Sequence, residues 1–173
     1  FIHPVLYTRC IDNWPTEMDT IDVEGRYQKD MFCNTVFATL FQKIFDDEYI
    51  KCAIADKFGL HEEYKTDCWL WQDTETFTVN DVHVDYKDFD ITFGLYMPQD
   101  NSLTNYGTQF WSPDCEADLE VSLVREDCTL IKQLPFQHNV CYIMPRSKYS
   151  WHSSPILDKP MKRNHVYGYY KTV

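Results

Sequence analysis

Apolar residues between positions 34 and 58 recur at the spacing of a helix. Val36, Phe37, Leu40, Phe41, Ile44 and Phe45 follow the i, i+1, i+4, i+5 spacing that forms one face of a helix. Asn34 is a suitable N-cap, and Gly59 is a suitable stop for a second helical stretch over Glu48–Phe58. This pattern predicts helices that lie across the outside of a sheet. Residues 1–30 show little periodicity and predict one or two strands with loops.

From Thr66 onward, short apolar runs alternate with turn-forming residues. Such spacing is typical of an antiparallel sandwich or jelly roll. The predicted fold is therefore mainly β with N-terminal helices, in which residues 1–66 support a jelly-roll core over 67–173. The predicted strands are Cys68–Gln72, Glu75–Val79, Ile91–Met97, Thr108–Trp111, Glu120–Val124, Thr129–Leu134, Val140–Met144 and Val166–Lys171.

Length and composition narrow the possible functions. A chain of 173 residues predicts one domain, and 44% apolar residues are enough to bury a core. The formal net charge of −11 disfavours nucleic-acid binding, which relies on Lys and Arg. No run of 18 apolar residues occurs, so no membrane association is expected.

The cysteine pattern favours reduced thiols over a disulfide framework or a zinc site. The chain has seven cysteines, an odd number, and no C-x-x-C pair. We therefore expect buried, reduced thiols in a cytoplasmic protein.

Two separated segments carry the candidate chemistry. In a strand, His83 and Asp85 project to the same face, because residues i and i+2 do so. His152 follows sixty-nine residues later, and Arg163 opens a further strand. Each feature is weak alone. Together, two histidines and one carboxylate can occupy one face of an octahedral Fe(II), and an arginine nearby can bind a cosubstrate carboxylate.

In this order and spacing the sequence resembles the 2-oxoglutarate/Fe(II) oxygenase superfamily, and its prolyl-hydroxylase-like members in particular. The resemblance covers roughly residues 69–170 and implies a double-stranded β-helix, the cupin-like form of the jelly roll. Further segments that resemble the family are Ile91–Met97, Gly107–Phe110, Asn139–Pro145 and Ser150–Ser153.

The resemblance implies that His83, Asp85 and His152 are catalytic ligands of Fe(II) and that Arg163 binds the C5 carboxylate of 2-oxoglutarate. Many family members have Ser or Thr two residues after this arginine, where this chain has His165. Thr92 or Tyr96 would then supply the second contact to that carboxylate.

The implied activity uses 2-oxoglutarate and O2, with ascorbate as an accessory reductant, and hydroxylates a small molecule or a peptide side chain while 2-oxoglutarate becomes succinate. Two alternatives stay open. One is a cupin-like metalloenzyme that does not use 2-oxoglutarate. The other is a non-catalytic jelly-roll binding protein in which His83 and Asp85 are coincidental.

Overall fold

The computed structural model describes residues 2–59, 63–77, 81–99 and 103–173. Within these ranges the fold is mainly β, with helices concentrated in the N-terminal third. The α-helices are α1 (Pro4–Asp12), α2 (Thr35–Leu40) and α3 (Glu48–Phe58). The strands are β1 (Asp19–Thr20), β2 (Arg26–Asp30), β3 (Tyr64–Thr74), β4 (Ile91–Tyr96), β5 (Gln109–Pro113), β6 (Cys128–Gln133), β7 (Cys141–Pro145), β8 (His152–Ser153) and β9 (Lys162–Thr172).

The described strands form two antiparallel sheets. The larger has the order β1-β2-β3-β9-β4-β7, and the smaller has the order β6-β5-β8. The longest pairing joins β3 to β9, from Tyr64 opposite Thr172 to Thr74 opposite Lys162. Isolated bridges attach the segment around Val82 and His83 to Leu123 and to His152 of β8.

The helices cover one face of the larger sheet, as the apolar pattern predicts. The Asn34 side chain accepts hydrogen bonds from the backbone N–H groups of Val36 and Phe37 and thereby caps α2. At the end of this helical region, the Phe45 ring stacks on Phe93 of β4 with centroids 4.5 Å apart. This contact leaves the opposite face of the sheet available for the site.

The N-terminal segment corrects one prediction, because α1 is a helix rather than a strand or loop. Pro4 occupies the first turn, where its missing N–H costs nothing, and the His3 side chain accepts a hydrogen bond from Val5. Tyr7 and Cys10, three residues apart, are the buried side chains. These signals were present in the sequence, but the segment is too short to show a repeated pattern.

The structure does not confirm two of the predicted strands, Glu75–Val79 and Glu120–Val124. Glu75 and Thr76 form a turn after β3, while Thr78 and Val79 of that predicted strand lie outside the described residues. The segment 120–124 is not a strand, because it makes only the bridge at Leu123.

The cysteines are free thiols, and their burial is mixed. Cys10, Cys68 and Cys128 are buried and Cys141 is half-buried, whereas Cys33, Cys52 and Cys115 are exposed. The expectation of buried thiols is therefore wrong for those three. Among the described residues, no helix has the length and apolar character needed to cross a bilayer.

Candidate active site

The bridge between two short segments brings His83 and His152 together. Each residue donates its backbone N–H to the carbonyl of the other, at 2.9 Å in both directions. Residues paired in this way on antiparallel strands are direct neighbours. Their imidazole rings accordingly lie with centroids 4.6 Å apart.

Asp85 lies two residues after His83 and faces the same side of the bridge. Its Oδ2 is 3.7 Å from Nε2 of His152, and its side chain is 10% exposed. The Tyr167 hydroxyl lies 3.5 Å from Oδ1 of Asp85, and Nε of Arg146 donates to the Asp85 backbone carbonyl at 2.8 Å. The acid is thus oriented through both its side chain and its backbone.

Backbone contacts orient both histidines so that the same nitrogen is left for a ligand. Nδ1 of His83 lies 2.9 Å from the Asp81 carbonyl, and Nδ1 of His152 lies 2.9 Å from the Ser150 carbonyl. A carbonyl can only accept, so each Nδ1 carries the proton and each Nε2 offers a lone pair. This is the second contact that metal-binding histidines usually make.

The three side chains fit a divalent metal ion. One potential ligand atom from each of His83, Asp85 and His152 lies within 4.8 Å of the others. Burial, with a contribution from His83, lowers the pKa of His152 although Asp85 opposes the shift. The neutral imidazole, which is the metal-binding form, is therefore favoured.

A cavity of about 400 Å³ extends from this cluster between the two sheets. The larger sheet contributes aromatic and basic side chains, and the segments near His83 and His152 contribute the potential metal ligands. Other lining residues include Arg26, Trp71, Phe77, Thr108, Tyr142, Arg163, His165 and Tyr167.

Arg163 lines this cavity and is almost fully buried, with 3% of its side chain exposed. Its Nε donates to the Tyr106 carbonyl at 2.8 Å, and its Nη1 pairs with Oδ2 of Asp73 at 2.7 Å. Burial alone would raise the pKa of the Asp73 carboxyl, but it is outweighed by the charge and hydrogen bond of Arg26, by the charge of His165 at the low pH at which Asp73 titrates, and by the charge of Arg163. The pKa of Asp73 lies well below its ordinary value of 3.8.

Comparison with solved structures reveals the relatives of this fold. The Pseudomonas putida prolyl-4-hydroxylase matches with a TM-score of 0.60 and 14% identity, over 100% of this chain and 89% of that one. HygX from Streptomyces hygroscopicus, with nickel, 2-oxoglutarate and hygromycin B bound, matches with a TM-score of 0.62 and 11% identity, over 99% and 80%. The chain has the fold of these proteins.

A prolyl hydroxylase from Trichoplax adhaerens, in complex with a hypoxia inducible factor peptide, has a similar fold. It matches with a TM-score of 0.50 and 10% identity, over 97% of this chain and 74% of that one. No protein-family model matches the sequence, and no curated protein matches it significantly in sequence. The likeness therefore establishes the fold, and the chemistry rests on the site.

Thr92 and Tyr96, predicted to contact a cosubstrate, lie on β4 but are not among the lining residues of the cavity. Both are buried, and the Tyr96 hydroxyl donates to Thr108 Oγ1 at 2.8 Å while it accepts from the Thr108 N–H at 2.7 Å. Their role toward a cosubstrate stays a prediction.

Several cavity residues of this fold were not recognised from the sequence. Arg26 stands in a segment without a motif, and the pairing of β2 with β3 brings it to the site. Thr108 and Tyr142 lie in the segments Gly107–Phe110 and Asn139–Pro145 noted in the sequence, but neither residue was singled out there. Tyr142 reaches the cavity across Gly94, where an added Cβ would lie 2.3 Å from the Tyr142 ring. The glycine two residues before Tyr96 was the available sequence signal for this close approach.

His165 provides a pH-dependent test of the buried charges. Burial and the neighbouring Arg163 lower its pKa from 6.5 to about 3, against the attraction of Asp73. Below pH 6.5 the unfolded chain binds a proton that the folded chain does not. The contribution of His165 to the free energy of unfolding is therefore fully present above pH 6.5. It declines as pH falls, by up to about 1.4 kcal/mol per pH unit.

Replacement of His165 by glutamine is expected to reduce this decline between pH 6.5 and pH 5. Urea unfolding at several pH values measures it. His152 has a lowered pKa as well and contributes a remaining slope of the same sign. Identical slopes for the variant and the original chain would contradict a neutral, buried His165.

Proposed function

We propose that residues 1–173 form a single 2-oxoglutarate- and Fe(II)-dependent oxygenase domain that hydroxylates a small molecule or a peptide side chain. The observation that carries this proposal is the cluster of His83, Asp85 and His152 in a cavity that also contains Arg163. We infer that the two sheets form a double-stranded β-helix around this cavity. The likeness to prolyl hydroxylases and to HygX supports that inference.

In this proposal His83, Asp85 and His152 hold Fe(II) through two Nε2 atoms and one carboxylate oxygen. The carbonyls of Asp81 and Ser150 keep both Nδ1 protons in place, so the rings do not need to reorient when the ion binds. When bound, iron together with 2-oxoglutarate and O2 supplies the oxidising chemistry, with succinate and CO2 as the cosubstrate products. Ascorbate would serve as an accessory reductant.

The remaining cavity residues bind and orient the organic groups. Arg163 would bind the C5 carboxylate of 2-oxoglutarate, because its guanidinium is buried and already oriented by the Tyr106 carbonyl. Thr92 or Tyr96 would supply a second contact to this carboxylate from a facing strand, and Tyr96 already contacts Thr108, which lines the cavity. Aromatic side chains exclude water from the cavity, as the stacked Trp71 and Tyr167 rings do at 3.9 Å.

One observation favours a second candidate function, a cupin-like metalloenzyme that does not use 2-oxoglutarate. Arg163 is already paired with Asp73, so its charge has a partner within the chain. In that case the arginine would stabilise the fold, and the metal ligands would act on another substrate.

Thermal unfolding with a metal and with 2-oxoglutarate tests the proposal. Mn(II) should raise the melting temperature of the chain, and 2-oxoglutarate should raise it further only when Mn(II) is present. A ligand at 100 times its Kd stabilises by about 2.7 kcal/mol, which such a measurement resolves. Stabilisation by the metal without a further rise from 2-oxoglutarate would favour the cupin-like alternative. Stabilisation by neither would exclude both.

Substitution of Arg163 by glutamine is expected to remove the increment from 2-oxoglutarate and keep the increment from Mn(II). Lys162→Gln is the matched control, because it removes the same charge from the neighbouring, exposed position of β9. With Fe(II), ascorbate and a panel of small molecules and peptides, succinate release should fall with Arg163→Gln alone. Equal responses of the two variants to 2-oxoglutarate would contradict the role of Arg163.

A further inference from the structure

A second arginine, Arg26 of β2, lines the same end of the cavity as Arg163. Its guanidinium packs against two aromatic rings, 4.2 Å from the centroid of Trp71 and 4.0 Å from that of Phe77. Its Nη2 lies 3.4 Å from the Ser154 hydroxyl. These two cation–π contacts, together with the hydrogen bonds to Asp73, restrict the orientation of the guanidinium.

The two arginines share one carboxylate across three neighbouring strands. Asp73 of β3 lies opposite Arg26 on one side and opposite Arg163 on the other. Oδ2 of Asp73 is 3.1 Å from Nη2 of Arg26 and 2.7 Å from Nη1 of Arg163. Both guanidiniums therefore belong to one site at the cavity wall.

Asp73 makes more hydrogen bonds to Arg26 than to Arg163. Arg26 binds it in the bidentate mode, with Nε 2.6 Å from Oδ1 in addition to the contact at Oδ2. Arg163 touches a single oxygen of Asp73 and directs its Nε to the Tyr106 carbonyl. Because Asp73 binds Arg26 through both oxygens, it neutralises the charge of Arg163 less than a carboxylate paired with Arg163 alone would.

We propose that Arg26 holds Asp73, the counter-ion that it shares with Arg163, so that Arg163 stays available for the distal carboxylate of a 2-oxo dicarboxylic acid. This inference rests on the proposed function, since it places the far end of the cosubstrate at this site. Arg26 is then a positioning residue, which holds Asp73 away from the ligand-binding side of Arg163.

The charges of the site select the ligand. Two guanidiniums and one carboxylate leave one positive charge, and the adjacent His165 is neutral at pH 7 because burial and Arg163 lower its pKa to about 3. A carboxylate end group brings one negative charge and makes the cluster neutral. A methyl end group leaves the positive charge without a partner in a buried site. Without Arg26, Asp73 would pair fully with Arg163 and compete with the ligand.

Calorimetric titration of the Mn(II)-loaded chain, without O2, tests this inference. The two ligands are 2-oxoglutarate and 2-oxopentanoate, which has a methyl group in place of the distal carboxylate. The original chain should prefer 2-oxoglutarate by about 100-fold, the effect of two charge-assisted hydrogen bonds. Arg26→Gln should reduce this preference at least about tenfold and leave binding of 2-oxopentanoate unchanged. Lys29→Gln, on the same strand and paired with Asp19 outside the cavity, should preserve it.

The outcomes separate the inference from the proposed function. If neither 2-oxo acid binds to the Mn(II)-loaded original chain, the proposed function fails. If both bind and Arg26→Gln keeps the full preference, the inference is overturned while the function stands. If Arg26→Gln does not fold, Arg26→Lys replaces it, because lysine keeps the charge but cannot bind Asp73 in the bidentate mode. An unchanged preference in Arg26→Lys would then overturn the inference.

Discussion

Replacement of Asp85 by asparagine is expected to abolish 2-oxoglutarate turnover and to weaken metal binding more than about 100-fold. Loss of an outer contact to a metal ligand usually costs 10–100-fold, so loss of the only negatively charged ligand should cost more. The shape of the side chain is preserved, and the hydrogen bond from Arg146 to the backbone of residue 85 can persist. Calorimetric titration with Mn(II) measures the change directly.

Asp88→Asn is the control for this substitution. It removes the same charge three residues later, where Asp88 lies 3.7 Å from Lys171 at the surface with 62% of its side chain exposed. We expect unchanged Mn(II) affinity and unchanged succinate release. Equal Mn(II) affinity of the two variants would show that Asp85 is not a ligand.

Replacement of Asp73 by asparagine is expected to destabilise the fold by about 3–5 kcal/mol, the usual cost of removing one partner from a buried ion pair. Only 1% of the Asp73 side chain is exposed, and it compensates the charges of both Arg26 and Arg163. Asparagine keeps the volume and leaves two guanidiniums without their counter-ion. Urea unfolding at pH 7 measures the loss.

The pH dependence of this effect has a definite sign. The pKa of Asp73 is lowered in the folded chain, so its contribution is complete above the ordinary value of 3.8 and declines as pH falls below it. Asp67→Asn, on the same strand, is the control. Asp67 is exposed and accepts a hydrogen bond from the Tyr169 hydroxyl, so its loss should cost about 0.5 kcal/mol or less. A loss below about 1 kcal/mol for Asp73→Asn would contradict the role of Asp73 as counter-ion.

The local part of the candidate site could be predicted from the sequence. His83 and Asp85 share a face because side chains alternate along an extended segment, and the structure has both beside His152. The sequence likewise predicted α3 with Gly59 as its stop, and Gly59 ends the helix in the left-handed conformation with φ of 71°. In both cases the decisive interactions lie within a few residues of one another.

The pairing of Asp73 with both Arg26 and Arg163 could not be predicted, because it depends on contacts between distant strands. Arg26 is 47 residues from Asp73, which is 90 residues from Arg163. No local pattern distinguishes Arg26 from an ordinary charge on a surface strand. Its pairing became visible only with the register of β2, β3 and β9.

The central claim is that one divalent ion binds between two imidazoles and a carboxylate, with a 2-oxo acid extending from it toward Arg163. A crystal structure of the chain with Mn(II) and 2-oxoglutarate, in which anomalous scattering locates the metal, tests this most directly. We predict one anomalous peak in contact with His83, Asp85 and His152, and the distal carboxylate of 2-oxoglutarate at Arg163. A metal bound elsewhere, or a cavity without 2-oxoglutarate at saturating concentration, would contradict it.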